Sequence, residues 1–206
     1  MALLALSLAF VLYSQVVGLG ELRALDNQAL RAFQRLWVPD LGPLFRGLAV
    51  LGGIEVTTAL AAALALYLWR SGFRDEALAT LAFPAVLVIE VLYRRLVFHP
   101  GPTVAHGDGP SISQLFRVTA NSYPSGHVLR SVLVYGLIAF VAYRLSPAAW
   151  VRRLAIPAAA LMIAAMSFDR LYLAVHWESD VVGGLLMGGL ALAAAVAWLD
   201  RPRAPR

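Results

Sequence analysis

Runs of about twenty mostly apolar residues recur along this chain, and no other feature limits its fold as strongly. A helix needs about 20 such residues to cross the hydrocarbon core of a bilayer. Candidate spans fall at 2–19, 48–69, 77–93, 127–143, 154–168 and 180–199. Inside lipid every backbone N–H and C=O must be paired within the segment, so such runs fold as helices. The expected fold class is all-α: a polytopic membrane protein with six transmembrane helices in one bundle. Only 14% of the residues are charged and 60% are hydrophobic, whereas soluble domains carry about 25% charged residues. We therefore expect one membrane domain over 1–206 and no separate soluble domain.

The connections differ in character. Residues 21–46 scatter Leu22, Leu25, Leu30, Phe33 and Leu36 among charges, the pattern of an amphipathic segment lying on a membrane surface. Residues 94–126 form the longest polar stretch, and its Gly and Pro residues (HPGPTVAHGDGP, 99–110) argue against a regular helix. The first arginine is Arg23, so residues 1–20 lack the basic start of a signal peptide and read as a retained first span. Arg70 and Arg74, then Arg144, Arg152 and Arg153, then Arg201, Arg203 and Arg206 fall on one side of a six-span bundle. By the positive-inside rule that side is cytoplasmic. Both termini are then inside, and segments 21–46, 94–126 and 169–179 face outward. Most of the five tryptophans lie near span ends, as an interfacial belt requires.

The net charge of +5 does not point to nucleic acid, because many basic residues flank apolar spans. All 17 basic residues are arginine, so any phosphate contact is a guanidinium fork with bidentate geometry. No cysteine is present, which excludes disulfides, thiolate chemistry and Cys-ligated metal. The four histidines, His99, His106, His127 and His176, all fall in or beside two outward loops.

Two stretches carry chemistry. In SFDRLYLAVHWESDVVGG (167–184), Asp180 follows His176 by four residues, so on a helix they share a face. Such an aspartate holds the imidazole and prepares its other nitrogen for attack; a plain helix-end pair is the alternative. In Pro124-Ser125-Gly126-His127, a tight turn precedes an apolar helix whose free N–H groups favour an anion. Ser125 can cap those groups or bind phosphate oxygens, and His127 can donate a proton. An ordinary Ser-Gly turn with an interfacial histidine is the alternative.

Taken together the two stretches resemble the motifs of the type-2 phosphatidic acid phosphatase superfamily, which includes bacterial lipid phosphatases and, more distantly, vanadium haloperoxidases. The Pro-Ser-Gly-His motif is intact at 124–127. The third motif (Ser-Arg, five residues, His, three residues, Asp) reads Asp169-Arg170, LYLAV, His176, WES, Asp180. Its leading serine is replaced by Asp169. The first motif (Lys, six residues, Arg-Pro) reads Arg94, RLVFHP, Gly101, Pro102, so Gly101 stands where the family has a phosphate-binding arginine. Arg130, Arg95, His99 and Arg117 are the candidate substitutes. Arg130 sits inside a span, three residues after His127; it either serves the site or forms an interhelical ion pair.

The resemblance implies metal-independent hydrolysis of a lipid phosphate or diphosphate at the outer membrane–water interface, without cofactor or nucleic acid. Arg94, Ser125, Gly126 and Arg170 would cradle phosphate. His176, oriented by Asp180, would become a phosphohistidine, and His127 would serve as acid and then base. The implied setting is the bacterial inner membrane, with the lipid bilayer and a lipid phosphate as partners. HWESD resembles undecaprenyl-diphosphatase-like members, so undecaprenyl diphosphate and a glycerolipid phosphate are the expected substrates. Two other readings stand: a non-catalytic lipid-phosphate-binding protein of this fold, and a phosphotransferase to an acceptor other than water. Glu90 is expected to position Arg94, four residues on. Glu55 lies in a span without an assigned partner. His106 and Asp108 read as plain loop, and the Gly184/Gly188 spacing suits close helix packing.

Overall fold

The computed structural model describes residues 2–107 and 120–201. Nine α-helices are formed among the described residues: α1 (Ala2–Gly18), α2 (Arg23–Leu36), α3 (Gly42–Gly52), α4 (Ile54–Arg70), α5 (Arg74–Ala79), α6 (Ala82–Leu96), α7 (Gly126–Leu145), α8 (Ala149–Tyr172) and α9 (Glu178–Leu199). The 3-10 turn Pro39–Leu41 leads into α3.

Five segments are long and apolar enough to cross a membrane: Pro39–Arg70, Arg74–Leu96, Gly126–Leu145, Ala149–Tyr172 and Glu178–Leu199. A sixth is reached if the bent pair Leu3–Gly18 plus Arg23–Leu36 counts as one span. The protein is thus an all-α polytopic membrane protein with five to six long apolar segments. The bend between α1 and α2 is 85°. It turns at Gly20, whose φ of +77° is the left-handed region that side chains disfavour.

Several boundaries differ from the sequence reading. The second span begins at Pro39 rather than 48, because Pro39 and Pro43 each start a helical segment at its first turn. It is broken at Gly53, which is extended (ψ 156°). The Gly53 carbonyl accepts both the Thr57 N–H at 3.1 Å and the Thr57 hydroxyl at 2.6 Å, which ties the break to the first turn of α4. The third span runs to Leu96, which places Arg94 and Arg95 on the last turn of α6 and not in the following loop. Asp169 and Arg170 likewise belong to α8, and the link to α9 is only 173–177.

Helix α7 is the centre of the bundle. It packs most extensively on α8 and α9, and Gly126 through Val134 are all buried. Small residues on α9 make the approach possible. A Cβ on Gly184 would sit 2.8 Å from the Ser125 carbonyl oxygen, and one on Gly188 would sit 2.7 Å from Val132 Cβ. The expected small-residue contact is therefore present, and it brings the start of α7 beside the start of α9. Leucines at four-residue spacing on α1 (Leu4, Leu8 and Leu12) face outward, as a lipid-exposed stripe does.

Candidate functional site

Four chain segments converge at one end of the bundle: the last turn of α6 with the loop after it, the Asn121–Ser125 turn, the end of α8, and the start of α9. Backbone bonds tie them together. Ser125 N–H donates to the Asp180 carbonyl at 3.0 Å, and Ser122 N–H to the His99 carbonyl at 2.9 Å. Pro100 and Asn121 form an isolated antiparallel bridge. The Asn121 side chain fastens both ends of the first-motif loop. Its Nδ2 donates to the Arg94 carbonyl at 2.9 Å and its Oδ1 accepts from His99 N–H at 3.1 Å. Trp177 Nε1 donates to the Pro100 carbonyl at 2.7 Å, which joins the third motif to the first.

His176 and Asp180 meet as one turn of helix allows. His176 Nδ1 lies 3.1 Å from Asp180 Oδ2, which also accepts the Trp177 backbone N–H at 2.9 Å. Asp180 is thus both the cap of α9 and the partner of the imidazole. A carboxylate at Nδ1 requires the proton there, which leaves Nε2 with a free lone pair. His176 is 7% exposed and Asp180 fully buried.

Ser125 is the residue before α7, and its Oγ is buried with no hydrogen-bond partner. At a helix start, where backbone N–H groups also lack intrahelical acceptors, such a hydroxyl is disposed to bind an anion. His127 follows on the first turn, 7% exposed, in the neighbourhood of the Arg170, Arg130 and Arg94 guanidinium groups.

The arginines are held by acids. Arg170 is fully buried and pairs with neighbouring Asp169, its Nε 2.8 Å from Asp169 Oδ2. The residue that replaces the family serine therefore serves as counter-ion to this guanidinium. Glu90 bridges two others, with Oε1 3.2 Å from Arg94 Nη2 and Oε2 2.7 Å from Arg130 Nη1. The Glu90–Arg94 pair is present as the spacing predicts. A Cβ on Gly126 would sit 2.7 Å from Arg130 Nη1 and would overlap the Glu90 carboxylate. Glycine at 126 thus admits both groups to the mouth of α7.

The other candidates disperse. Arg130 is an interhelical ion-pair residue that also borders Gly126. Arg95 is exposed on α6. His99 is buried with its Nε2 3.2 Å from Ser179 Oγ. Arg117 and Asp108 lie outside the described residues. Gly101 lines a cavity of about 250 Å³ with Arg23, Asp26, Asn27, His99, Pro100 and Trp177.

Sequence reasoning missed Asp26. It is 2% exposed, and its carboxylate accepts Ser179 N–H at 2.9 Å and Ser179 Oγ–H at 2.8 Å. An acid in an amphipathic helix carries no local mark of such a role. His106 is more than loop. Its ring stacks on Trp37 with centroids 3.7 Å apart, and Nε2 lies 2.9 Å from Gln34 Oε1. Burial pushes its pKa below the ordinary histidine value. Among the described residues no cluster of three or more His, Asp or Glu side chains is arranged to hold a metal ion.

A family model described as "PAP2 superfamily" matches residues 96–204. This chain belongs to the PAP2 superfamily. The matched segment contains Gly101, the Pro124–His127 turn and the His176–Asp180 pair, and it begins two residues past Arg94. No curated protein matches this PAP2 chain. Among solved structures it is similar to the first transmembrane PAP2 type phosphatidylglycerolphosphate phosphatase from Bacillus subtilis, with a TM-score of 0.83 at 20% identity. That match covers 99% of this chain and 98% of the other. The two PAP2 proteins share a fold over their whole length.

Proposed function

We propose that this PAP2 protein hydrolyses a lipid phosphate or diphosphate through a phosphohistidine at His176. The observation that carries the reading is the juxtaposition of two motifs. The Ser125 N–H bonds the Asp180 carbonyl, so the anion-binding start of α7 lies against the His176–Asp180 pair.

In the proposed cycle the phosphoryl group rests against Ser125 Oγ, the Gly126 N–H, Arg94 and Arg170. His176 Nε2 attacks phosphorus, forming an N–P bond as the bond to the leaving oxygen breaks. His127 gives its proton to that oxygen. It then takes a proton from water, which attacks phosphorus and breaks the N–P bond, releasing phosphate and restoring His176. Guanidinium groups stabilise charge on the transferring group. The resemblance implies that no metal is required.

A lipid substrate fits a site at helix ends, because the headgroup reaches the histidines while the chain stays in the bilayer. Undecaprenyl diphosphate is favoured by HWESD. A glycerolipid phosphate is favoured by the fold shared with the Bacillus subtilis protein. The arginine distribution supports a cytoplasmic place for both termini and an outward site, and the resemblance implies a bacterial inner membrane. We place 21–46 and 94–126 on the outer side as well.

The test is phosphate release by detergent-purified protein from a panel of lipid phosphates and diphosphates. Release should persist with chelator and vanish in His176→Ala. No release from any of them would sink the hydrolase reading. A second reading, binding without turnover, is motivated by Glu90 and Asp169, which already pair with arginines of the cradle. It predicts retention of a lipid phosphate and no phosphate release.

A further inference from the structure

Asp180 uses only one of its two oxygens for His176 and the α9 cap. The other, Oδ1, is buried and accepts no hydrogen bond. A buried carboxylate oxygen without a donor is costly, so a polar group close to it matters. His99 Nε2 lies 3.6 Å away.

His99 is well placed to serve. It is 4% exposed. Its backbone is fastened by Asn121 and Ser122, the latter donating to the His99 carbonyl through both N–H and Oγ–H. Its ring meets the rings of Tyr123 and Trp177 edge-on. The proton count settles which group faces Asp180. Ser179 has one hydroxyl proton and gives it to Asp26 Oδ2. Toward His99, 3.2 Å away, Ser179 Oγ therefore presents a lone pair, and His99 Nε2 must carry the hydrogen. That N–H faces Ser179 Oγ, Asp180 Oδ1 at 3.6 Å and Asp26 Oδ2 at 3.7 Å.

We propose that His99 is a positioning residue for the His176–Asp180 pair, held in place by Asp26 of α2 through Ser179. The chain Asp26–Ser179–His99–Asp180–His176 joins α2 to the attacking imidazole. With His99 Nε2–H beside Oδ1, the carboxylate keeps Oδ2 toward His176 Nδ1. Without it the carboxylate rotates to share both oxygens among Trp177 N–H and His176, and the ring loses its fixed direction. Partners that orient a metal-ligating histidine typically cost 10–100-fold when removed, and by analogy an effect of about that size is expected here. The kinetic arm of the test rests on the hydrolase reading; the spectroscopic arm does not.

The experiment uses full-length, ¹⁵N-histidine-labelled protein in detergent. The low-field Nδ1–H proton of His176 is assigned by its loss in His176→Ala. His99→Leu removes the donor and His99→Gln keeps an N–H at the place of Nε2. In His99→Leu the His176 resonance should move upfield or broaden, and kcat should fall roughly 10–100-fold with KM nearly unchanged. His99→Gln should restore both. If His99→Leu does not fold, Ser179→Ala, which cuts the link to Asp26, should move the resonance in the same direction. A His176 resonance absent from the wild type or unmoved in these variants overturns the proposal. So does an equal loss in His99→Leu and His99→Gln, which marks a packing role. Wild-type protein that releases no phosphate from any lipid sinks the hydrolase reading instead, and the resonance alone then decides the role of His99.

Discussion

Arg130 Nη1 lies 2.7 Å from Glu90 Oε2, inside the bundle and against Gly126. Both side chains are less than a tenth exposed. Removing one partner of a buried pair strands the other charge and costs about 3–5 kcal/mol. Glu90→Gln and Arg130→Met should each lower the thermal midpoint of the purified protein. The double variant should melt above Glu90→Gln alone, because it no longer leaves Arg130 buried without its counter-charge, whereas Glu90 in Arg130→Met keeps Arg94 at 3.2 Å. Single variants that melt with the wild type would show that water already solvates the pair.

Asp180→Asn keeps the shape of the side chain but disrupts the acceptor of the His176 Nδ1 proton. Its kcat for phosphate release should fall by about 10²–10⁴, the usual span for a positioned acid–base system. His127→Ala loses the acid of the first step and the base of the second, so its kcat should fall as well. An acid-free quench of the wild type during turnover should trap phosphate label on His176, and label on no histidine would contradict the covalent route.

Gly101→Arg restores the family guanidinium. A Cβ there meets only Ser122, at 3.4 Å, so the variant should fold and melt near the wild type. A charge-assisted hydrogen bond is worth about 1.5–3 kcal/mol, so KM for a lipid phosphate should drop by roughly tenfold or more. An unchanged KM would mean that Arg130 already fills this place.

Gly184→Ala puts a methyl group 2.8 Å from the Ser125 carbonyl oxygen, and a helix backbone cannot yield as a flexible side chain can. Overpacking of this kind costs about 1–3 kcal/mol, and here it also pushes Ser125 and His127 away from Asp180. Gly189→Ala meets nothing within 4 Å and should melt at or above the wild type. Comparison of the two midpoints and of their kcat values separates helix packing from helix propensity.

The stacked His106 sets a pH dependence. Burial lowers its pKa, so the folded chain favours the neutral ring and binds fewer protons there than the unfolded chain. The contribution is complete above the ordinary histidine pKa of about 6.5 and is lost as pH falls below it toward the depressed folded value. Between about pH 7.5 and about pH 5.5 the wild type should lose more of its thermal midpoint than His106→Gln does. Parallel curves would contradict the assignment.

The local side-chain pairings of this protein were legible in the sequence because their signals are short-range. Apolar runs long enough for a bilayer can only be helices, so the class and the approximate spans followed from length and solvent alone. His176 and Asp180 are four residues apart, and Glu90 and Arg94 likewise, so one turn of helix brings each pair together. The Gly184/Gly188 spacing announced a close helix contact, although not its partner. The tertiary structure decided everything that depends on which helix faces which. Glu90 lies 40 residues from Arg130, and Asp26 lies 153 residues from Ser179. No periodicity marks such partners, because a buried acid looks like a solvated one until the chain folds over it. The same holds for the break at Gly53 and the bend at Gly20, where the path of the chain, rather than its composition, decides which groups reach the site.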